Sequence, residues 1–436
     1  MGGEPFDTSD FRCLLSWELV EQREAGFDVT GLEDAVVRAL TAKDPEMCSR
    51  LLEALGHCPR LAAWPYDEPE ELADILVGTG DNAVRRPLAS TEVAGRIWAA
   101  WAGRSAGNML GRPVEGWSRE QLRSYLELAS AYPLTDYIPA LDPMPAGCNF
   151  NPCWATTTLG RISEVTRDDD IDYTILNLVV LETFGRAFTT DNVGSSWTTY
   201  LPYQSVWVAS RAAYRNLVNG LRPPQTAIHL NPYREWIGAQ IRADMWGYVN
   251  AGRPREAATL AYRDAILSHR TNGVFAAIWA AVLIATCFVQ PTMREALDIA
   301  LTYVPHRSRL AESLRLVMTQ FDAGSSWEHA RDEVERRFGS YSFVHAVSNA
   351  AVLAAALLWG EGDFSQTIGL AVQGGWDTDC NGATAGSAFG AMHGPASLPD
   401  KWIAPLRNSV RSAVIGFDQI GIDELAARTA AHYTAG

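Results

Sequence analysis

The segment AGRIWAAWAGRSAGNMLG, residues 94–111, decides the fold of this chain. Small residues recur in it at every fourth position, namely Gly95, Ala99, Gly103, Gly107 and Gly111. Because residues four apart lie on one side of a helix, this spacing predicts a helix with one smooth face that a second helix can approach closely. A glycine costs roughly 1 kcal/mol relative to alanine inside a helix, so we expect tight helix packing to offset that cost.

Helical spacing continues outward from this segment. From Glu92 onward, apolar residues recur with the period of a helix and alternating strand patterns are scarce; one such stripe begins at Ile171 and another covers residues 350–358. Residues 1–88 contain shorter helical patterns and end in a turn-rich stretch around Gly78 and Gly80. The sequence therefore predicts an all-α fold, with a compact multi-helix domain over residues 89–436 and a small N-terminal helical extension over residues 1–88.

Composition limits the class of function. The 436 residues carry a formal net charge of -15, and a polyanion is bound mainly by Lys and Arg, so we expect no nucleic-acid partner. A small anionic ligand stays compatible, because helix starts, local arginines or bound cations can offset its charge. The longest apolar run, residues 274–289, is shorter than the roughly 20 residues that cross a bilayer. It predicts a buried core helix and no membrane partner.

The cysteines and the first residues bear on the compartment. The seven cysteines are odd in number and none has a CxxC or Cys/His spacing typical of zinc sites, which favours a reducing compartment. The first ten residues are polar and acidic, without the basic start and apolar core of a secretory signal. We therefore expect a soluble cytoplasmic protein, and the sequence leaves its oligomeric state open.

Three aspartates stand together at Asp168, Asp169 and Asp170, immediately before a predicted helix. One explanation is an acidic helix start, stabilised by capping and by the helix dipole, for which one or two aspartates would suffice. The other is a hard cation such as Mg²⁺, which prefers oxygen ligands. The spacing by itself leaves both explanations open.

Two further acidic positions follow the same pattern. Asp377 and Asp379 come after a glycine pair in GGWDTDCNGATAGSAFGAMHG, residues 374–394, where an N-cap followed by small packing residues explains the second aspartate poorly. Glu115 lies in GRPVEGW, residues 111–117, where Pro113 ends helical geometry. A lone loop glutamate is usually just solvated, so only proximity to the aspartates would make Glu115 a general base or a metal contact.

At this point the sequence resembles the ADP-ribosylglycohydrolase family, which includes dinitrogenase-reductase-activating glycohydrolases. The resemblance spans residues 89–400 and rests on five blocks in the family's order: GRSAGNMLGRPVEGW, YPLTDY, DDDIDYT, LSHRTNG and GWDTDCNGATAGS. It implies a compact all-α fold with two Mg²⁺ ions in a central cleft, where Mn²⁺ can substitute. It also implies a hydrolase that cleaves the bond between the distal ribose of ADP-ribose and an arginine, serine or other acceptor.

The family pattern assigns roles to individual positions. It makes Asp169, Asp170, Asp377 and Asp379 carboxylate ligands of the metal, with Asp168 and Cys380 completing the metal set where many members carry Ser or Thr. It matches Glu115 to a loop glutamate that contacts metal or water and the scissile ribose. Because a metal can lower the pKa of its bound water, Glu115 and Asp169 beside it are the candidate catalytic groups that take the proton. The positions it implies for substrate binding are Asp136, Tyr137, His269, Asn272, Gly273, Gly374, Gly375 and Trp376.

Some of these positions have ordinary explanations outside the resemblance. A histidine such as His269 on an Ala-rich helical segment is more often structural than catalytic. Asp136 and Tyr137 follow Pro133 and Thr135 in a turn, where an aspartate is common. Their assignment as substrate contacts therefore depends on the resemblance.

Two departures from the family pattern lie at the metal. Ile171 stands where the family's DDT motif has Thr, and Cys380 brings a thiol, which is a poor ligand for hard Mg²⁺. These departures leave open whether the site holds two ions or one. They also leave two alternatives for function: a glycohydrolase acting on a small NAD-derived or nucleoside-like metabolite, and a non-catalytic ADP-ribose-binding protein.

Overall fold

Helices provide nearly all of the regular structure in a computed structural model of the chain, which describes residues 7–79 and 88–433. Strand contacts within these ranges are isolated bridges, such as that between Val165 and Val410, and no sheet forms among the described residues. The all-α prediction is therefore confirmed. Gly80, in the predicted turn before the main domain, and Met1 to Phe6, within the polar first ten residues, lie outside the described residues.

The segment predicted to be an N-terminal extension, which keeps that name below, contributes the first helices. They are α1 (Phe11–Glu24), α2 (Glu33–Ala42), α3 (Pro45–Leu55) and α4 (Leu72–Ile75). Asp10 and Asp44 begin α1 and α3 by accepting backbone N–H groups of the first turn, which satisfies donors that a helix start leaves without partners.

The remaining helices form the main body. They are α5 (Ser90–Gly111), α6 (Arg119–Leu128), α7 (Trp154–Thr157), α8 (Asp169–Phe184), α9 (Thr190–Tyr200), α10 (Val208–Val218), α11 (Gln225–Ile228), α12 (Asp244–Tyr248), α13 (Pro254–Ala265), α14 (Thr271–Cys287), α15 (Met293–Leu301), α16 (Arg309–Asp322), α17 (Trp327–Phe338), α18 (Ala346–Trp359), α19 (Phe364–Gln373), α20 (Thr378–His393), α21 (Asp400–Ile403) and α22 (Ile422–Ala430). Short 3₁₀ turns lie between them at Arg112–Val114, Gly185–Ala187, Tyr203–Ser205, Ile237–Arg242, Pro395–Ser397 and Ala404–Leu406.

The predicted smooth helix is α5, and its partner is α20. A β-carbon added to Gly103 or Gly107 would overlap the backbone carbonyl of Gly386 or Gly382, respectively. At Gly111 it would lie against the backbone of Thr378. The two helices therefore touch through their backbones, and the predicted close approach is confirmed from Gly103 to the end of α5. Gly95 departs from the pattern, because its nearest neighbour is a side-chain atom of Pro395 at 3.9 Å.

The apolar run 274–289 lies almost entirely within α14. Every residue of this helix from Asn272 to Cys287 is buried, Trp279 included, so the prediction of a core helix is confirmed. None of the helices in the described residues is both long and apolar enough to span a membrane.

The extension shares its core with the main body. Leu14, Leu15 and Leu55 pack in one apolar cluster with Tyr233 and Trp236, which belong to the segment before the 3₁₀ turn at Ile237–Arg242. Burying apolar surface between the two parts stabilises their contact. The extension thus supports the segment that contains Trp236.

A buried ionic network reinforces this contact. Arg309 bonds to Glu68 of the extension at 2.8 Å and to Glu235 of the main body at 2.7 Å, and its Nη1 donates to the Glu24 carbonyl at 2.9 Å. Arg234 pairs with Glu18 of α1 at 2.9 Å. Because buried charges are tolerated only when paired, these contacts fix how the extension lies against residues 234–236.

Candidate active site

A cleft of about 730 Å³ opens where three helices begin. The starts of α8, α10 and α20 all reach it, and helix N-termini favour negatively charged ligands. Its volume falls in the range of small-molecule binding sites. The lining residues are Arg112, Glu115, Asn151, Pro152, Cys153, Arg167, Asp169, Asp170, Trp207, Val208, Trp236, Ile237, Gly238, Ile241, Phe343, Val344, Asp377, Asp379 and Cys380.

The cleft has one acidic end and one apolar wall. The acidic end combines the three groups singled out in the sequence, around Glu115, Asp169 and Asp379. The wall is formed by aromatic and aliphatic side chains, namely Trp207, Val208, Trp236, Ile237, Ile241, Phe343 and Val344. A ligand with a charged or hydroxyl-rich part and a flat apolar part would match this division.

Packing of α5 on α20 brings Glu115 next to Asp377. The loop after α5 is fastened to the segment before α20, because Gly116 N donates to the Trp376 carbonyl at 2.8 Å and Trp376 N donates to the Trp117 carbonyl at 2.9 Å. These two backbone bonds hold the loop that contains Glu115 beside the segment that contains Asp377. The close approach of α5 and α20 therefore sets the distance between Glu115 and the pair Asp377 and Asp379.

The structure shows which aspartates are explained by helix capping and which are not. Asp168 is the N-cap of α8, and its Oδ1 accepts the backbone N–H of Asp170 at 2.9 Å. Asp377 has the N-cap position of α20 but makes no side-chain capping bond. Helix capping accounts for Asp168 and leaves Asp377 without that explanation.

Several carboxylate oxygens at the acidic end are buried without a hydrogen-bond partner. They are Oδ1 of Asp170, Asp377 and Asp379, and Oδ2 of Asp168, which is ion-paired with Arg112; all four side chains are almost fully buried. Unpartnered buried carboxylates are costly unless a cation neutralises them. Oxygen-rich sets of this kind suit hard divalent cations such as Mg²⁺, so the residues present fit the metal that the sequence implies.

The pKa values of the acids identify which charges are compensated. Burial, followed by repulsion from Asp168, raises the pKa of Asp169 to about 7. Burial and neighbouring aspartates also raise the pKa values of Asp170 and Asp377 well above the ordinary range. Burial acts the same way on Asp168, but Arg112 and the bonds to Asp170 outweigh it and lower the pKa of Asp168. Asp168 is thus the compensated acid of the cluster.

Two arginines contact the acidic end: Arg112 lines the cleft, and Arg104 is buried behind the cleft lining. Arg104 of α5 is fully buried, pairs with Asp244 at 2.7 Å and lies 3.6 Å from Asp170. Arg112, at the end of α5, pairs with Asp168 through its Nε at 2.6 Å. Sequence reasoning missed Arg112, although it stands three residues before Glu115 in the same motif.

Cys380 lies among the acids, as its place in the motif predicts. Its Sγ is 3.4 Å from Asp170 Oδ2, and burial followed by repulsion from Asp170 raises the pKa of the thiol well above its ordinary value. The thiol therefore keeps its proton and donates to Asp170 in the absence of a metal. Its assignment as a metal ligand stays a prediction.

The block around His269 lies behind the cleft wall. His269 is fully buried, its Nδ1 lies 2.8 Å from Ser268 Oγ, and burial lowers the pKa of the imidazole well below its ordinary value, so it is neutral. A β-carbon on the wall residue Gly238 would lie 3.1 Å from His269 Nε2. His269 therefore supports the wall from behind rather than lining the cleft.

Asn272 and Gly273 have comparable supporting positions. The Asn272 amide donates to Glu68 at 2.8 Å and to Glu235 at 3.2 Å. A β-carbon on Gly273 would lie 2.5 Å from the Arg234 carbonyl, so glycine lets α14 begin against that segment. Both residues hold the backbone that leads to Trp236. Neither residue lines the cleft, so their role as substrate contacts stays a prediction.

The turn at Gly374, Gly375 and Trp376 positions the Glu115 loop. Gly375 has a φ of 74°, and a β-carbon there would lie 2.7 Å from Arg119 N, so this turn requires glycine. Arg331 lies 3.9 Å over the Trp376 ring and donates to the Gly374 carbonyl at 2.9 Å. The turn is buried beside Asp377 and does not itself line the cleft.

Asp136 and Tyr137 lie away from the cleft lining, where Tyr137 contacts Trp402. The Tyr137 hydroxyl donates to the Trp402 carbonyl at 2.7 Å and its ring packs edge-on against Trp402. Asp136 Oδ1 accepts the backbone N–H of Tyr137, which is ordinary turn chemistry. Neither residue lines the cleft, so their role as substrate contacts stays a prediction without support from the geometry.

The model of a family described as ADP-ribosylglycohydrolase matches residues 89–435. No curated protein matches the chain in sequence. Among solved structures, one described as "ADP-ribosylglycohydrolase-related protein complex" has 19% sequence identity and a TM-score of 0.46, covering 79% of this chain and 98% of that chain. The family match begins next to Ser90, the first residue of α5, and contains every acid of the cleft.

Proposed function

The chain belongs to the ADP-ribosylglycohydrolase family, and from that premise we propose that it is a metal-dependent glycohydrolase that cleaves the ribosyl bond of an ADP-ribosylated acceptor. The observation that supports this most is the convergence of Glu115, Asp169 and Asp379 at one end of a cleft with an apolar wall. The acids come from three distant parts of the sequence, and a purely structural role would not require them to share one cavity.

The proposed reaction is hydrolysis at the anomeric carbon of the ribose. A water oxygen forms a bond to that carbon, the bond to the acceptor nitrogen or oxygen breaks, and the acceptor leaves with a proton. Glu115 is the proposed base for the water, because it faces the cleft with 31% of its side chain exposed, and Asp169 is the second candidate. The surrounding acids stabilise positive charge that develops on the sugar in the transition state.

The metal belongs to the acids at the starts of α8 and α20. We assign Mg²⁺, with Mn²⁺ as a substitute, to the carboxylates of Asp169, Asp170, Asp377 and Asp379. When bound, such a cation supplies positive charge that polarises water and orients the hydroxyls of the sugar. The carboxylates in turn would stay ionised, because an adjacent cation lowers the raised pKa values described above.

The rest of the cleft would bind the ADP part of the substrate. Its phosphates carry negative charge, which suits Arg167 and the N-terminal ends of α8, α10 and α20. The purine ring is flat and apolar enough to contact Trp207, Trp236 or Phe343. Binding energy from these remote contacts would place the ribose against the acids.

Release of ADP-ribose from defined substrates tests the proposal. ADP-ribosylated arginine and serine peptides and small NAD-derived compounds would be compared, with and without exhaustive chelation and re-addition of Mg²⁺ or Mn²⁺. We expect turnover of an ADP-ribosylated peptide that chelation abolishes and the ions restore. Glu115→Gln should reduce kcat by about 10²-fold or more, the usual contribution of a general base. Glu120→Gln, a substitution of an exposed glutamate in α6, is the matched control.

Each other outcome points to a different function. Turnover restricted to the small compounds would support the metabolite glycohydrolase. Tight ADP-ribose binding without turnover of any substrate would support a binding protein. Unchanged turnover after chelation would contradict the metal-dependent mechanism.

A further inference from the structure

Arg112 joins the three acidic groups of the cleft. Its Nε lies 2.6 Å from Asp168 Oδ2, and its Nη1 lies 3.3 Å from Glu115 Oε2 and 3.5 Å from Asp379 Oδ2. These carboxylates belong to the start of α8, the loop after α5 and the start of α20, respectively. One guanidinium therefore already holds together the segments that a cation would otherwise have to neutralise.

Asp168 is the anchor of this arginine. It is fully buried, one of its oxygens caps α8, and the other pairs with Arg112. No oxygen of Asp168 is left without a charged or hydrogen-bonded neighbour. In this respect it differs from Asp377, whose Oδ1 is buried without a hydrogen-bond partner and has no arginine paired with it.

Asp379 lies on the border between two parts of the cluster. Its Oδ2 faces Arg112, whereas its Oδ1 has no hydrogen-bond partner. A divalent ion that shared Glu115 Oε2 or Asp379 Oδ2 with Arg112 would lie within roughly 5 Å of the guanidinium, given oxygen–metal distances near 2.1 Å. Two cations at that distance repel each other strongly in a partly buried site. The side of the cluster that faces Arg112 is therefore unfavourable for a metal.

Arg104, the other buried arginine beside the acids, pairs mainly with a different carboxylate. Its Nη2 lies 3.6 Å from Asp170 Oδ1, but its shorter pair is with Asp244 at 2.7 Å. The Oδ1 atoms of Asp377 and Asp379 are buried without a hydrogen-bond partner, and Asp379 meets Arg112 through its Oδ2. The least compensated oxygens of the cluster are therefore the Oδ1 atoms of Asp377 and Asp379.

We propose that Arg112 is a built-in cation of the cleft, anchored by Asp168, and that the cleft therefore binds one divalent ion, held by the carboxylates of Asp377 and Asp379. Asp168 is then a positioning residue for Arg112 and not a metal ligand. The inference rests on the proposed function only in that it assigns the acidic cluster to a metal.

The number of bound ions tests this directly. The full chain would be dialysed against Mn²⁺ alone and the bound metal determined by elemental analysis, together with thermal unfolding to verify that each variant is folded. We expect one ion per chain for the native protein and two for Arg112→Met, which removes the charge but keeps an unbranched side chain. Arg161→Met is the matched control and should keep one ion, because Arg161 is exposed and stacks on Trp154 at 4.5 Å.

A second pair of variants tests the role of Asp168 without relying on Arg112. Asparagine caps helices as well as aspartate does, so Asp168→Asn should fold. We expect Asp168→Asn to keep one Mn²⁺ ion, whereas Asp377→Asn should keep none at the same free Mn²⁺ concentration. Loss of the ion from Asp168→Asn would overturn the assignment of Asp168 as an anchor.

The ion count is independent of turnover, so this inference and the proposed function can fail separately. Two ions on the native protein, or one ion on folded Arg112→Met, would overturn the inference and leave the glycohydrolase proposal standing. One ion on the native protein with no turnover of any ADP-ribosyl substrate would support the inference and overturn the function. No bound ion in a protein that still hydrolyses its substrate would overturn the inference and the metal-dependent mechanism.

Discussion

Gly107 of α5 and Gly382 of α20 lie in direct backbone contact, and a β-carbon on either residue would overlap the carbonyl group of the other. The contact lies one turn of α5 before Gly111, which packs against Thr378 at the start of α20. Because Glu115 follows α5 and Asp377 precedes α20, the spacing of these helices sets the spacing of the acids.

Gly107→Ala should therefore weaken both the fold and the site. Inserting a methyl group into a tightly packed contact usually costs about 1–3 kcal/mol of unfolding free energy, and here the neighbouring atoms are backbone, so we expect the upper end. Urea unfolding without added metal would measure it. Gly95→Ala in the same helix is the matched control, because its nearest neighbour is 3.9 Å away. It should leave stability unchanged or raise it by up to about 1 kcal/mol; equal losses at both positions would contradict the packing argument.

Asp377→Asn should abolish activity and metal binding while preserving the helical fold. Asp377 crowds against Asp379 and Glu115, so replacing one of these charges relieves repulsion when no metal is bound. Circular dichroism, Mg²⁺ titration and ADP-ribose release would be measured on the same sample. A collapse of helicity would instead favour a purely structural role for this residue.

Asp172→Asn is the corresponding control on α8. Asp172 is fully buried but pairs with Arg167 at 2.7 Å and accepts bonds from Ser412 and Ala413, at 2.7 and 2.9 Å. Its replacement should cost about 1–3 kcal/mol of stability by disturbing a buried hydrogen-bond network. Metal binding should persist in this variant if the cluster of acids, rather than any buried aspartate near it, holds the ion.

Ile171→Thr should separate metal affinity from stability. If a hydroxyl at this position helps to hold the acids or a water beside them, Mg²⁺ should bind more tightly, as measured by titration. Ile171 is fully buried, so loss of apolar contact should lower the unfolding free energy by about 1 kcal/mol or more, measured without metal. Ile171→Val, which has the shape of threonine without its hydroxyl, is the control. Equal Mg²⁺ affinity in both variants would show that this chain builds its site without the hydroxyl.

Glu24→Gln should stabilise the protein at high pH. Burial, followed by repulsion from Glu235, raises the pKa of Glu24 from 4.5 to about 8. The folded state thus binds this proton more tightly than the unfolded chain, so the contribution of Glu24 to stability falls as pH rises from about 4.5 to about 8. Relative to the native protein, Glu24→Gln should gain about 2 kcal/mol at pH 9 and little at pH 4.5, measured by urea unfolding. Glu53→Gln, at an exposed position of α3, is the control, and a gain independent of pH would contradict this explanation.

The local sequence determined which helices form and which helix packs closely. Glycine at every fourth position fixes one face of α5, and the apolar run 274–289 has no polar side along which α14 could face water. Both properties follow from the period of a helix, which relates neighbours in the chain. The acidic groups at Asp168–Asp170 and Asp377–Asp379 were also recognisable, because capping and the helix dipole require fewer aspartates than each helix start carries.

Tertiary structure alone decided which of these residues share the cleft. The sequence could not reveal that Asp168 caps α8 and pairs with Arg112, or that Trp207, Trp236 and Phe343 line the same cleft as the acids. His269 and Tyr137 belong to two of the five blocks that resemble the family, yet their side chains are turned into the protein, where Ser268 and Trp402 are their partners. The physical reason is that a side chain's partner is set by distances between helices far apart in sequence, and local periodicity contains no information about those distances.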